Sequence, residues 1–208
     1  MKNLLLVGAP GSGKGTQSQR LKELGYTHLS MGDLLRDEVA SGSELGQEIN
    51  SLISQGNFVT DELALKLFKK TVQAGKPYIF DGFPRTAPQA QAFVQAFSDI
   101  KVIYFDLALE TLKDRLVFRR TCPKCGAIYN LKLNPPEVKD TCECGHVGLS
   151  HRNDDKEEFV ETRWNTFMEK TMPVLNVLDS ANFQRLNIDA NLSENELFQK
   201  VLAFIKED

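Results

Sequence analysis

With 208 residues, 41% of them hydrophobic and 25% charged, the chain can bury one main core with inserted lobes but not a second full domain. Its formal net charge of −3 argues against nonspecific nucleic-acid binding, which needs a strong basic excess. No apolar run reaches the roughly 18 residues that span a bilayer, and Met1-Lys2 leading straight into a strand pattern does not read as a signal peptide, so a cytoplasmic protein without a membrane partner is expected.

The apolar run Leu4-Leu5-Leu6-Val7 predicts a buried parallel strand. Gly8-Ala9-Pro10-Gly11-Ser12-Gly13-Lys14-Gly15-Thr16 carries it into an amphipathic helix with Leu21 and Leu24. A strand that ends in glycines and opens a helix presents a row of backbone N–H groups, and these bind phosphate oxygens. Lys14 adds a point charge suited to a polyphosphate. The pattern matches the phosphate-binding loop G-x-x-x-x-G-K, with Gly15 at the usual hydroxyl position and the hydroxyl one residue later, at Thr16.

Gly25 to Ser30 reads as a short connection or an edge strand. Ser30 then caps a helix, with Asp33 at the capping-box position and Leu34 and Leu35 opening the apolar face. Arg36 on that helix reads, taken alone, as a solvated charge. A second helix is expected over Leu45 to Ile53, ended by Gly56, before the loop Asn57-Phe58-Val59. Thr60-Asp61-Glu62 starts another, with Leu63, Leu65, Leu67 and Phe68 in its apolar set. Ser30 to Val59 is therefore a small helical excursion between core elements.

Tyr78-Ile79-Phe80-Asp81 predicts a strand that ends in an acid, and Gly82-Phe83-Pro84-Arg85 follows it. Ligands gather at the carboxyl ends of strands in an open parallel sheet, which places Asp81 and Arg85 beside the phosphate loop. An acid there can hold water on Mg²⁺, and a planar guanidinium can grip phosphate oxygens in a fork. A helix is expected over Gln89 to Phe97 and a doubly covered strand over Lys101 to Leu107. A helix over Thr111 to Arg120 follows, with Arg115, Arg119 and Arg120 toward its far end.

Thr121 to Ser150 departs in style, holding all four cysteines of the chain and little apolar periodicity. So short a stretch cannot build its own core and needs a staple. Cys122-x2-Cys125-Gly126 has zinc-knuckle spacing, and Cys142-Glu143-Cys144-Gly145 forms a shorter second arm. Four thiolates make a closed, structural zinc site; His146 is near enough in sequence to replace Cys142 or Cys144. His28 and His151 read as structural. Arg152-Asn153-Asp154-Asp155 then precedes a long amphipathic helix from Lys156 to Leu178, carrying Arg163 and Trp164, which Pro173 kinks or breaks. Gln184 to Ile188 reads as a last strand, and Ser193-x-x-Glu196 caps a terminal helix.

Jointly, several of these stretches resemble the adenylate kinase family, in its long-lid, zinc-containing bacterial branch, over essentially the whole chain. They are Gly8 to Thr16, G-D-L-L-R at Gly32 to Arg36, D-G-F-P-R-T at Asp81 to Thr86 with Gln89, and R-x-D-D at Arg152 to Asp155. The resemblance implies an α/β fold, a three-layer parallel sheet with a phosphate-binding loop, of the nucleoside monophosphate kinase type. Its core would be 1–29, 60–118 and 156–208, its monophosphate-binding lobe 30–59 and its zinc-stapled lid 119–155. The implied reaction is reversible transfer of the terminal phosphoryl group of Mg²⁺-ATP to AMP, giving two ADP, by a monomer.

Carried over residue by residue, Pro10, Gly11, Ser12, Gly13, Lys14, Gly15 and Thr16 would hold the donor phosphates. Arg115 would lie beside the donor adenine, near Ile128 and Tyr129. Ser30, Met31, Arg36, the loop Asn57, Phe58 and Val59, the turn Gly82, Phe83, Pro84 and Arg85, and Gln89 would surround AMP. Arg119, Arg152 and Arg163 would reach the phosphates when the lobes close, with Asp81 supporting Mg²⁺ through water and Lys14 neutralising charge. Cys122, Cys125, Cys142 and Cys144 would hold Zn²⁺.

Two departures stand out. The family commonly has Ser-Thr where this chain has Ser30-Met31, leaving Ser30 or backbone groups to replace a hydroxyl near AMP. The C-x-C arm is the other. Alternatives are a kinase for UMP, CMP or GMP, and a noncatalytic zinc-containing nucleotide-binding module. The phosphate-gripping arginines and the acidic balance count against the module.

Overall fold

The structure is a computed structural model that describes residues 1–54, 58–73 and 75–207. Strand β1 (Asn3–Gly8) is central in a five-stranded sheet of order β2-β3-β1-β4-β7, in which β2 is Thr27–Ser30, β3 Tyr78–Asp81, β4 Ile100–Asp106 and β7 Gln184–Asp189. Every pairing is parallel. The apolar runs of β1 and β3 are continuous because both faces of the sheet are covered, as parallel sheets require. Alternation then splits the side chains between two cores. Leu5, Val7, Phe80 and Val102 pack on one face with residues of α2 (Met31–Ala40), α3 (Glu44–Ile53), α4 (Asp61–Thr71), α5 (Ala87–Ala96) and α8 (Met172–Ser180). Leu4, Leu6, Ile79, Ile103 and Phe105 pack on the other with residues of α1 (Lys14–Lys22), α6 (Leu109–Val117), α7 (Glu157–Thr166) and α9 (Glu194–Lys206). These are the three layers expected. Among the described residues, no helix is long and apolar enough to cross a membrane.

The helix starts follow local chemistry. Ser30, Ser43, Thr60, Thr86 and Ser193 each accept a backbone N–H of the following first turn, satisfying a donor that would otherwise be orphaned. Ser193 and Glu196 complete a reciprocal capping box. At the far end of α9, the buried Lys101 ammonium donates to the Phe204 carbonyl at 2.7 Å and to that of Glu207, tying the last turn to β4. Gly25 to Ser30 resolves into the edge strand β2. Gly56, expected to end α3, lies outside the described residues.

One expectation needs correction. The helix expected to run to Arg120 stops at Val117, and Arg119–Thr121 is strand β5, antiparallel to β6 (Ile128–Asn130). The lid hairpin overrides helix propensity: Leu131 N–H donates to the Phe118 carbonyl at 2.9 Å and Asn130 Nδ2 to that of Arg115 at 3.2 Å, so the end of β6 and the residue after it take acceptors at the end of α6. The long helix is divided into two segments at Pro173, as expected: α7 ends at Thr166 and Pro173 lies in the first turn of α8. Phe167–Thr171 widens into a π-helical turn and α8 continues from Met172. The wider turn accommodates the proline, which lacks an N–H and whose ring would crowd the carbonyl four residues back.

Helices α2 and α3 approach closely at Gly46. A Cβ there would lie 2.4 Å from the Glu38 carbonyl oxygen and 3.0 Å from the Val39 Cα, both backbone atoms that cannot swing aside. Gly46→Ala is therefore expected to destabilise the protein by about 1–3 kcal/mol despite its better helix propensity. A urea unfolding midpoint equal to that of the parent protein would contradict the contact.

Candidate active site

The register brings the carboxyl ends of the central strands level. Leu6 pairs with Asp81 and Ser30 with Asp81, so the acid, the α2 cap and the phosphate loop share one edge of the sheet. A cleft of about 750 Å³ opens there between the loop, α2, β5 and β6, the segment before α7, and the last turn of α7 at Arg163. Gly13 caps α1 with no side-chain acceptor, which leaves the first-turn N–H groups open to a ligand.

Pro10, Gly11, Gly13, Gly15 and Thr16 line the cleft around Lys14. The Lys14 ammonium folds over the loop, donating to the Gly8 and Ala9 carbonyls at 2.8 and 2.9 Å. Burial lowers its pKa to about 8, against the charge of Asp81. Ser12 is fully buried and does not line the cleft; its hydroxyl lies 3.4 Å from Lys14 Nζ and supports the lysine from below. Gly15 meets the lid across the cleft. A Cβ on it would lie 2.9 Å from Ile128 Cδ1, the tip of a side chain that would have to shift to admit it, so the β5–β6 hairpin sits directly on the loop here.

Opposite the loop, Asp81 is held below the usual carboxylate range: burial opposes this, but neighbouring His28, Lys14 and Arg85 outweigh it. His28 Nε2 stands 3.5 Å from Asp81 Oδ2. Arg85 Nε donates to the Gly82 carbonyl at 2.7 Å, and the guanidinium lies 5.0 Å over the Phe58 ring. Burial lowers the Arg85 pKa to about 10, partly offset by Asp81. Gly82, Pro84 and Phe58 line the cleft with it, as do Ser30 and Arg36, the latter paired with Asp33.

From the lid side, Arg119 donates from Nε to Asp155 Oδ2 at 2.7 Å and from NH2 to Oδ1 at 2.5 Å. Arg163 reaches the same Oδ1 at 2.6 Å. Arg152, whose pKa falls to about 10 through burial and the charges of Arg119 and Arg36, makes no ion pair among the described residues. Arg115 fixes the loop to β7, donating to the Ala190 carbonyl at 2.7 Å and weakly to that of Gly11 at 3.4 Å. Ile128 and Tyr129 complete the lid wall.

Some expected site residues fall elsewhere. Phe83 is 1% exposed and stacks on Phe68 with ring centroids 4.3 Å apart, so its side chain belongs to the core. Met31, Val59 and Gln89 line a small adjoining cavity of about 20 Å³ instead of the main cleft. Both ends of the Gln89 amide are engaged: Oε1 accepts from Arg85 N at 2.8 Å and Nε2 donates to Asp61 Oδ1 at 2.7 Å. Asn57 lies outside the described residues. Asp155, fully buried between two arginines, is the residue that sequence reasoning quoted without giving it a task. An acid set among Arg119, Arg152 and Arg163 was the available signal. His28, read as structural, lines the cleft through its contact with Asp81, and nothing in its sequence context marked it.

The four cysteine sulfurs gather within 4.8 Å of one another, a spacing that fits one tetrahedral metal ion. Among the described residues His146 is not part of the group; its carbonyl accepts from Cys142 N at 2.8 Å. Both arms turn back on a left-handed glycine, Gly126 with φ 77° and Gly145 with φ 81°. In the first arm Gly126 N–H reaches the Cys122 carbonyl four residues back, and in the second Gly145 N–H reaches that of Cys142 three back. The missing residue of C-x-C is thus absorbed by a tighter turn.

A parallel sheet with a glycine loop at its carboxyl edge, facing a ring of cations and one strand-end acid, defines a P-loop phosphotransferase of the nucleoside monophosphate kinase class. The family model described as adenylate kinase matches residues 6–183. An adenylate kinase of Hydrogenobaculum sp. (strain Y04AAS1) is 39% identical over 97% of this chain and 99% of its own length. One from Thermotoga maritima is 36% identical over 99% and 97%. One from Nitrosococcus oceani is 40% identical over 85% and 86%. The chain belongs to the adenylate kinase family.

Proposed function

We propose that the chain catalyses reversible Mg²⁺-dependent transfer of the terminal phosphoryl group of ATP to AMP, giving two ADP. The observation that carries this reading is the convergence of Lys14, Arg36, Arg85, Arg119, Arg152 and Arg163 on one cleft from different segments. Phosphoryl transfer has a loose, highly charged transition state, and its catalysis is mostly alignment and charge stabilisation. The phosphate loop and Lys14 hold the donor phosphates, with Arg115 at the base end. Arg36 and Arg85 face the monophosphate acceptor across from them. Arg119, Arg152 and Arg163 cover the transferring group. No general base is required of the protein beyond what the phosphate itself supplies.

Asp81, charged and pointing along the edge shared with the loop, suits a water-bridged Mg²⁺ arriving with ATP; the ion would neutralise charge on the phosphates. Residues 119–155 form the lid over the donor side and 30–59 the acceptor lobe, hinged on the core formed by 1–29, 60–118 and 156–208. Ile128 against Gly15 covers part of the donor side, and full closure of the lobes would keep out the water that would otherwise accept the phosphoryl group. The ion held by Cys122, Cys125, Cys142 and Cys144 is zinc on ligand chemistry, and its role is mechanical, stiffening a lid with little core of its own. Cysteines that pair with a metal instead of with one another suit a reducing cytoplasm, and since one chain supplies the cations named above, a monomer suffices.

The test is incubation with Mg²⁺-ATP and AMP, UMP, CMP or GMP in turn, with the products resolved. ADP formation with AMP alone is expected. Transfer to another monophosphate in preference would replace the acceptor, and no transfer to any would sink the kinase reading.

A further inference from the structure

The three side chains of β6 reach in different directions. Ile128 meets the phosphate loop at Gly15, and Asn130 Nδ2 holds the Arg115 carbonyl at 3.2 Å. Tyr129, between them, turns to the cysteines. Its hydroxyl donates to Cys142 Sγ at 3.3 Å and accepts the Glu143 backbone N–H at 3.2 Å. The residue is 5% exposed and packs with Cys122 and Cys142 in the small apolar cluster at the heart of the lid.

Glu143 is the single residue between Cys142 and Cys144, so the Tyr129 hydroxyl sits on the irregular arm of the site. Both arms close on their own backbone, with Cys122 N–H to the Ala127 carbonyl and Cys142 N–H to the His146 carbonyl, each at 2.8 Å, but only the Cys142 arm also receives a side-chain hydroxyl among the described residues. A phenolic O–H that donates to one sulfur and accepts from the intervening N–H fixes both the direction of that sulfur and the turn that carries the next. Phenylalanine would fill the same space without doing either.

We propose that Tyr129 is a positioning residue of the metal site, its hydroxyl orienting Cys142 and pinning the turn at Glu143. The proposal rests on the reading of the four thiols as a zinc site. Groups that donate to a ligand from outside the coordination sphere orient it and temper its charge, and losing one costs metal affinity. Tyr129 also lines the nucleotide cleft, so the strand that covers the donor phosphates is the one that seats the metal ligand.

The test compares the purified parent protein with Tyr129→Phe. Zinc content is measured by elemental analysis, affinity by competition with a chromophoric chelator, and melting temperature with zinc bound and under excess chelator. One zinc per chain is expected on both proteins, with affinity about 10–100-fold weaker for Tyr129→Phe. The melting temperature of the variant should be lower with zinc bound and equal to the parent's once zinc is stripped. Unchanged affinity on a zinc-loaded variant overturns the role of Tyr129 and leaves the metal reading standing. An equal loss of melting temperature with and without zinc makes the hydroxyl a packing feature and also overturns it. A parent protein that binds no zinc overturns the metal reading and this inference together.

Discussion

Replacing Arg85 by alanine is expected to lower turnover by at least ~100-fold, the scale of losing one positioned transition-state donor, while the protein stays folded. The side chain is anchored rather than free: Nε donates to the Gly82 carbonyl at 2.7 Å, and the backbone is gripped on both sides, N–H by Gln89 at 2.8 Å and carbonyl by Thr171 Oγ1 at 3.0 Å. Those contacts leave the far edge of the guanidinium for a ligand, in a setting where burial has already removed much of its water and lowered its pKa to about 10. A desolvated cation gains more from a phosphate than an exposed one does. Arg85→Lys should recover only a small part of the rate, because an ammonium cannot make the paired, planar contact of the guanidinium. Steady-state kinetics beside thermal melting decide the matter. A normal rate in Arg85→Ala would remove the residue from the proposed site.

Asp155→Asn is expected to damage both stability and rate. The carboxylate is fully buried and receives Arg119 on both oxygens and Arg163 on one, joining the base of the lid to α7. Removing one charge of a buried pair leaves the partners uncompensated and typically costs about 3–5 kcal/mol. Because Arg119 and Arg163 border an open cleft that water can enter, the lower end applies, about 3 kcal/mol, or a fall of about 6–12 °C in melting temperature for a chain of this size. Without the acid, Arg119, Arg152 and Arg163 repel one another and lose their alignment, and turnover should drop by ~10-fold or more. The acid also fixes a pH dependence. Burial would raise its pKa, but Arg119, Arg163 and Arg152 outweigh burial and hold it below the usual carboxylate range. A depressed folded-state pKa means that the stabilisation is complete above the unfolded value and is lost as pH falls through and below it. The parent protein should therefore lose more stability than Asp155→Asn between about pH 4 and pH 2. Parallel acid-denaturation curves would contradict the pairing.

What could be read from the chain without its structure was whatever depends on neighbours a few residues apart. The strand-to-loop-to-helix passage at Gly8 to Thr16, the caps at Ser30, Thr60 and Ser193, the strand-end acid Asp81 and the paired thiols of each knuckle are all of this kind. Their geometry is set by turns whose hydrogen bonds close over three or four residues, and residue type encodes such turns directly. The resemblance carried by these stretches gave the family, and the fold followed from it.

Only the tertiary structure decided which groups meet over longer separations. Arg119 sits on a strand instead of a helix because β6 claims the end of α6, and its partner Asp155 lies 36 residues away. Gln89 spends its amide on Asp61 and the Arg85 backbone, Phe83 its ring on Phe68, and Tyr129 its hydroxyl on Cys142. Gly15 meets the tip of Ile128 from across the cleft. Each of these depends on how the lid and the core pack, and packing is a property of the whole chain that no single window of sequence contains.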